Sequence, residues 1–293
     1  YSQSLVLILA GKHTLHVKQL TLLLLLTCWM QVHAQPGTSL TETSGPLYLP
    51  TVQSSDYLLE GKSIPVIIEK YGDRSDFICV NLHANETASV EAARRVLEKT
   101  GGILIRINNN RQRLIRFTIG KARFAFDPNR MYTRDGIRQT LAENSRVNEK
   151  AAAAIEGFAQ HMLDLLADST ACVVALHNNT EGAFSIKSYM EGGERFTDAR
   201  QTFQNPEQDI DDIVLTTDSL LYAKMLEAGY NSIWQHNELV RQDGSLSVYC
   251  GNIGRRYINI ETQHGKVDQY AEMLERLVAV LEELKTTAVE ATE

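Results

Sequence analysis

Residues 77–86 read Phe77-Ile78-Cys79-Val80-Asn81-Leu82-His83-Ala84-Asn85-Glu86, a short apolar run that breaks directly into an imidazole and, three positions on, a carboxylate. A run of this length, rich in β-branched and aromatic residues, reads as a buried strand. Ala88 to Lys99 then spaces its apolar residues helically, and Ile103 to Ile107 is extended again. Strand, helix and strand in succession place the chain in the α/β class. Further out, Arg113 to Ile119 and Arg123 to Phe126 read as strands, with Asn108-Asn109-Asn110 as the hairpin turn before them. Asn148 to Leu166 is helical, Thr170 to Leu176 is a buried strand, and Asp218 to Ala228 is helical again. Short extended runs follow near Ser232, Val248 and Ile258, and a helix from Val267 to Leu284 closes the domain. No run of Pro, Gly or charge divides this pattern and no repeat is visible. The expectation is a single domain with a mixed, mostly parallel twisted sheet flanked by helices on both faces.

The chain has 293 residues, of which 43% are hydrophobic and 22% charged, and this balance excludes wholesale disorder and collagen-like classes. Its net charge of −7 argues against a sequence-independent grip on nucleic acid or anionic lipid, but not against a locally basic pocket. Lys18, the apolar run Leu20 to Leu26 with Trp29 and Met30, and then Val32-His33-Ala34 have the layout of a secretory signal cleaved after Ala34. Val17 is an alternative start, which would make the residues before it an upstream extension. The reading is therefore signal and extension over 1–34, a turn-rich leader over 35–50 and the functional domain over 51–288. The apolar run is about a dozen residues, short of the ~20 that span a bilayer. An exported protein, periplasmic or secreted, with no membrane span in its mature form is expected. Cys28 leaves with the signal; Cys79 and Cys172 sit in apolar runs and read as buried hydrophobes, and with Cys250 the count is odd, so at least one thiol is unpaired.

In open α/β sheets function gathers beyond the carboxyl ends of strands. There the sequence places His83-Ala84-Asn85-Glu86 after Leu82, His177-Asn178-Asn179-Thr180 after Leu176, and Glu261-Thr262-Gln263-His264-Gly265 after Ile260. If those strands are neighbours, two imidazoles and two carboxylates converge at one sheet edge. Two neutral imidazoles and one carboxylate are a donor set for catalytic zinc, and the second carboxylate can take a proton from water. A lone His-x-x-Glu is weak evidence, since such pairs often decorate a helix surface; two further strand-end residues in order strengthen it. Asp127-Pro128-Asn129-Arg130 has the donors to grip a carboxylate, with Asp127 placed to order the arginine, and also reads as a surface turn. Glu261 could alternatively pair with Arg255 or Lys266.

Taken together, His83-x-x-Glu86, Asp127-Pro128-Asn129-Arg130, Leu176-His177-Asn178-Asn179-Thr180 and Asn259-Ile260-Glu261 resemble the zinc carboxypeptidase superfamily, in particular its aspartoacylase and succinylglutamate desuccinylase branch. The resemblance spans Phe77 to Gly265. It implies that His83, Glu86 and His177 hold Zn²⁺, that Glu261 is the general base, and that Asn129 and Arg130 bind the substrate's free carboxylate. It also implies an arginine that polarises the scissile carbonyl, for which Arg123 is the candidate and Arg116 the alternative. A mobile tyrosine of the family would lie among Tyr189, Tyr222, Tyr230, Tyr249 and Tyr257.

The loop from Glu181 to Asp212 is long and polar, and reads either as a lid or as a surface excursion. His264 either reaches the site or supports the Glu261 loop. No phosphate-binding glycine loop follows any strand. The expected activity is zinc-dependent hydrolysis of an amide bond next to a free carboxylate, in a peptide or an N-acyl amino acid. The alternative is a non-catalytic extracytoplasmic protein that captures carboxylate ligands on the same fold.

Overall fold

Strands Phe77–Asn81 and Cys172–Asn179 are buried along their whole length, as strands covered on both faces must be. Their side chains alternate between two separate cores. Ile78, Val80, Val173 and Ala175 join one, and Phe77, Cys79, Cys172, Val174 and Leu176 join the other. The computed structural model describes residues 47–290 except 169, 170 and 183. The signal expected over 1–34 and most of the leader expected over 35–50 lie outside the described residues. Among the described residues no helix is long and apolar enough to cross a membrane.

In chain order the elements are β1 (Pro50–Ser54), β2 (Tyr57–Leu59), β3 (Lys62–Ile64), β4 (Val66–Tyr71), β5 (Phe77–Asn81), α1 (Thr87–Thr100), β6 (Gly102–Ile107), β7 (Ile115–Ile119), β8 (Ala122–Phe126), α2 (Arg134–Asn144), α3 (Glu149–Leu165), β9 (Cys172–Asn179), β10 (Ala199–Phe203), β11 (Ile213–Thr216), α4 (Ser219–Glu227), β12 (Asn231–Gln235), α5 (Leu246–Asn252), β13 (Tyr257–Gln263) and α6 (Val267–Glu290). Among the described residues nine strands form one sheet, in the order β1-β4-β6-β5-β9-β13-β11-β12-β10. Its centre, β6-β5-β9-β13, is parallel. Antiparallel pairs join β1, β4 and β6 on one side, β13 to β11, and β12 to β10 at the far edge. Helices α1, α4 and α6 cover the core that contains Phe77 and Leu176. On the opposite face α3 and the β7–β8 hairpin cover the core that contains Val80 and Ala175, through Phe158, Phe117 and Phe126. This is the single α/β domain expected, with the parallel strands where burial is deepest.

The differences from the sequence reading have local causes. Strands β1 to β3 escape it because β1 is exposed along its length and β2 and β3 are only three residues each; β4 escapes it although it opens on the apolar run Val66-Ile67-Ile68. Val248 lies in helix α5, not in a strand: Leu246, Val248 and Cys250 alternate like a strand, yet Leu246 and Cys250 sit four apart on one helical face and both enter the core. Asn108-Asn109-Asn110 does turn the chain, but β7 pairs with β8 and not with β6. The thiols of Cys79, Cys172 and Cys250 are buried and free of disulfides.

Chain order sets the crevice. From β5 the chain passes through α1 to β6 on one side, whereas the next central strand, β9, lies on the other side of β5. A strand order that reverses in this way opens a cleft at the carboxyl ends of β5 and β9.

Candidate active site

The turn after β5 is closed by a hydrogen bond from the Glu86 amide to the His83 carbonyl at 3.0 Å. Glu86 stands at the N-cap of α1 but makes no side-chain cap, because its carboxylate turns inward to the histidines. The amide it would have capped, that of Ser89, instead donates to Asn178 Oδ1 on β9 at 3.0 Å. Asn178 therefore both replaces the cap and ties α1 to the strand that carries His177. One residue earlier in β9, the pleat puts His177 on the opposite face, beside Ala175 and Val173.

His83, Glu86 and His177 are all buried, and one potential ligand atom from each lies within 4.8 Å of the others. Glu86 Oε1 is 2.9 Å from His83 Nδ1, and Glu86 Oε2 is 3.0 Å from His177 Nδ1. On its far side, His83 Nε2 stands 2.7 Å from Asp127 Oδ1. If Nε2 carries the proton that this contact needs, Nδ1 presents a lone pair to Glu86, and two lone pairs at 2.9 Å require a cation between them. The cation is either a second proton or a metal ion. His83 Nδ1 is buried yet has no aligned hydrogen-bond partner, which is the behaviour of a ligand atom. Two imidazole nitrogens and a carboxylate are a donor set that zinc accepts. Burial would lower the pKa of His83, but Glu86 and Asp127 outweigh it and raise it to about 9. Burial likewise opposes ionisation of Glu86, and the two histidines overcome it and hold the carboxyl well below its usual range.

Asp127 organises the neighbouring wall. Its side chain accepts from His83 and from the Asn129 amide at 2.8 Å, capping the single 3₁₀ turn Pro128–Arg130. The sequence pairs Asp127 with Arg130; in the structure its ion-pair partners are His83 and Arg113. The Arg130 guanidinium instead reaches Asp243 at 3.5 Å and donates to the Asn129 carbonyl at 2.6 Å. Asp243 is delivered by a backbone-to-backbone approach of the kind only glycine permits. Gly244 has φ +75°, and a Cβ there would stand 2.6 Å from Gly136 Cα and 2.8 Å from the Arg130 carbonyl. Gly244→Ala should therefore lower the thermal midpoint and weaken carboxylate binding together, by displacing Arg130. A variant with wild-type ligand affinity would separate Gly244 from the site.

Arg123 is not brought to this wall. Its partner across the hairpin is Thr118, on the face away from the core, and it lines a separate groove with Lys62 and Arg116. The pleat explains this: Phe124 and Phe126 point inward, so Arg123, one position before Phe124, points out. The arginine at the cluster is Arg113, whose Nη1 donates to Glu86 Oε1 at 2.8 Å and whose Nη2 lies 3.1 Å from Asp127 Oδ2. It precedes β7, after a turn in which Asn110 and Arg111 adopt left-handed φ of 49° and 58°. Within that turn the Asn109 amide donates to the carbonyls of Gln112 and Leu114. The turn at Asn108-Asn109-Asn110 is legible in the sequence, but the return of Arg113 from it to the cluster is not.

A cavity of about 410 Å³ opens over these groups, lined by His83, Glu86, His177, Arg113, Asn129 and Arg130 and by Glu261. Glu261 pairs in register with His177 across the parallel strands β13 and β9. The Asn259 amide donates to Glu261 Oε1 at 3.2 Å. Burial raises the pKa of Glu261, with Glu86 adding to the effect and His177 and Arg113 opposing it. Of the tyrosines, Tyr189 and Tyr257 line the cavity, and so does His264; Tyr222, Tyr230 and Tyr249 do not. The loop expected over 181–212 contains β10 and supplies Phe184, Tyr189 and Arg195 to the cavity wall.

No family model matches the chain, and no curated protein matches it. Solved structures do. Murein-tripeptide amidase MpaA from Escherichia coli O157 is 13% identical, with 81% of this chain and 92% of that one covered at a TM-score of 0.40. An aspartoacylase family protein from Mesorhizobium loti is 17% identical, with 80% and 68% covered at 0.39. Bovine thrombin-activatable fibrinolysis inhibitor, in complex with tick carboxypeptidase inhibitor, is 10% identical, with 82% and 91% covered at 0.45. What the cavity can do follows from its own side chains.

Proposed function

We propose that this chain is a zinc-dependent hydrolase that cleaves an amide bond next to a free carboxylate, in a peptide or an N-acyl amino acid. The observation that carries the reading is one polar cavity joining the buried His83-Glu86-His177 cluster, Glu261, and the Asn129-Arg130 turn. His83, Glu86 and His177 would hold the ion. When bound, zinc supplies a Lewis acid that makes water a better nucleophile and the carbonyl a better electrophile at neutral pH.

The chain's own residues do the rest. Arg130, steadied by Asp243, presents its planar donors to the substrate carboxylate, and the Asn129 side chain stands beside it. That contact fixes which amide bond lies over the cluster. Glu261 takes a proton from the attacking water as its oxygen bonds to the carbonyl carbon, then delivers that proton to the nitrogen as the carbon–nitrogen bond breaks. Arg113, with its side chain 46% exposed, keeps N–H groups free to meet the negative charge that develops on the carbonyl oxygen. The products are a carboxylic acid and an amine, with no other reactant than water.

Turnover of a panel of peptides and N-acyl amino acids, with and without chelator, tests the reading; chelator-insensitive or absent turnover across the panel overturns it. Arg130→Ala should lower kcat/KM for carboxylate-bearing substrates by about 30-fold or more, the effect of stranding a paired charge. Most of the change should fall in KM, with metal content intact. Equal rates on substrates with amidated C-termini would count against the assignment.

A further inference from the structure

From Thr100 to Phe126 the chain carries Arg106, Arg111, Arg113, Arg116, Lys121 and Arg123 and neither Asp nor Glu, in a protein of net charge −7. Arg106 is neutralised by Glu69, and Arg113 by Glu86 and Asp127. Arg116 and Arg123 have no carboxylate partner among the described residues, and neither has Lys62, which adjoins them. All three line one groove of about 590 Å³, together with Thr118 and Asn144. It is separate from the catalytic cavity, with which it shares no lining residue.

The hairpin builds this convergence. Thr118 pairs with Arg123 and Arg116 with Ala125, so both arginines stand on the outward face at diagonal positions, about 7–8 Å apart along the backbone. Phe117 and Phe124, on the inward face, are 4% and 2% exposed and anchor the hairpin in the core. Lys62 Nζ donates to the Arg116 carbonyl at 2.8 Å, which keeps its ammonium beside the arginines. Burial, with Arg116's charge adding to it, pushes the Lys62 pKa below its ordinary value. Arg116 uses one donor on Gln112 at 3.2 Å; the remaining guanidinium donors of the pair have no hydrogen-bond partner among the described residues.

We propose that this groove binds the phosphate group of a soluble ligand, with Arg116 and Arg123 donating to its oxygens and Lys62 completing the charge. A phosphate monoester carries about −1.5 to −2 at neutral pH and three acceptor oxygens, which matches three cations lining one groove. A single carboxylate is satisfied by one guanidinium fork and would leave the other cations unneutralised. A bilayer surface fits poorly, because the groove offers no exposed large apolar side chain to insert and the protein as a whole is acidic.

Calorimetry of the full chain against inorganic phosphate and pyrophosphate, at low salt, tests this directly. Wild type should bind both anions more tightly than acetate. The double variant Arg116→Gln, Arg123→Gln should lose that binding by tenfold or more with an unchanged thermal midpoint and unchanged hydrolysis of small substrates. Phosphate binding that survives in the double variant would belong to the His83 cluster and would overturn the proposal. So would acetate binding as tightly as phosphate, or the absence of any heat at millimolar phosphate. Arginine-dependent binding to phosphatidylglycerol vesicles without a response to free phosphate would reassign the groove to lipid headgroups and overturn the soluble ligand.

Discussion

Glu261→Gln is expected to lower kcat by roughly 10²–10⁴-fold, the usual contribution of a positioned general base, while fold, metal content and carboxylate affinity stay close to wild type. The substitution keeps shape and removes only the proton acceptor. A glutamine carbonyl can still take the hydrogen bond that the Asn259 amide gives to Glu261 Oε1 at 3.2 Å, so the local lattice of β13 is preserved. A purely structural role for Glu261 would need a cationic partner, and the two that the sequence offers for it are committed elsewhere. Arg255 donates to the carbonyls of Asp168 and Ala171, and Lys266 is 2.6 Å from Asp209 and 3.6 Å from Asp212. Losing the Glu261 charge should therefore leave the thermal midpoint almost unmoved. Turnover, zinc content and thermal midpoint measured on one preparation decide the matter, and a zinc-loaded variant that turns over at the wild-type rate would falsify the role of base.

The parts of this site that the sequence exposes are those attached to a strand end. His83, His177 and Glu261 each follow a run of buried apolar residues, and because β5, β9 and β13 are neighbours in the sheet, reading the residue after each run finds the cluster. In the sequence the adjacency of those three strands is a condition, and the sheet order β5-β9-β13 meets it. What stays hidden is whatever depends on pleat parity or on a loop's path. Arg113 and Arg123 are ten positions apart in the same basic run, and composition cannot rank them. The register of an outward-facing strand sends Arg123 away, and two left-handed residues at Asn110 and Arg111 bring Arg113 back. Asp243 is a stronger case, because its approach to Arg130 rests on Gly136 and Gly244 meeting across 108 residues of chain, a contact no local pattern announces. Helix α2 is missed for a related reason: of its eleven residues only Ile137 and Leu141 are large and apolar, too few for a period to show.

His177→Ala is expected to remove most of the bound zinc and, with it, all measurable turnover. Replacing even a hydrogen-bond partner of a ligand typically lowers metal affinity about 10–100-fold, and removing one of three ligands should exceed that. Asp127→Asn, which leaves the three ligands in place and alters the partner of His83 Nε2 at 2.7 Å together with the ion pair to Arg113, supplies the milder comparison. The fold should tolerate the change. His177 sits near the carboxyl end of β9, and Val173, Val174, Ala175 and Leu176 before it anchor that strand in both cores. A readout independent of catalysis follows from mass action: an ion that binds only the folded chain stabilises it in proportion to the logarithm of its concentration over Kd. Chelated wild type should regain turnover and thermal midpoint together as zinc is restored, whereas His177→Ala should show a flat midpoint over the same range. Glu261→Gln should follow wild type in that titration, although it does not turn over, because it touches the proton and not the ion. Full zinc occupancy in His177→Ala would remove His177 from the metal centre, and a flat midpoint in Glu261→Gln would move Glu261 into it.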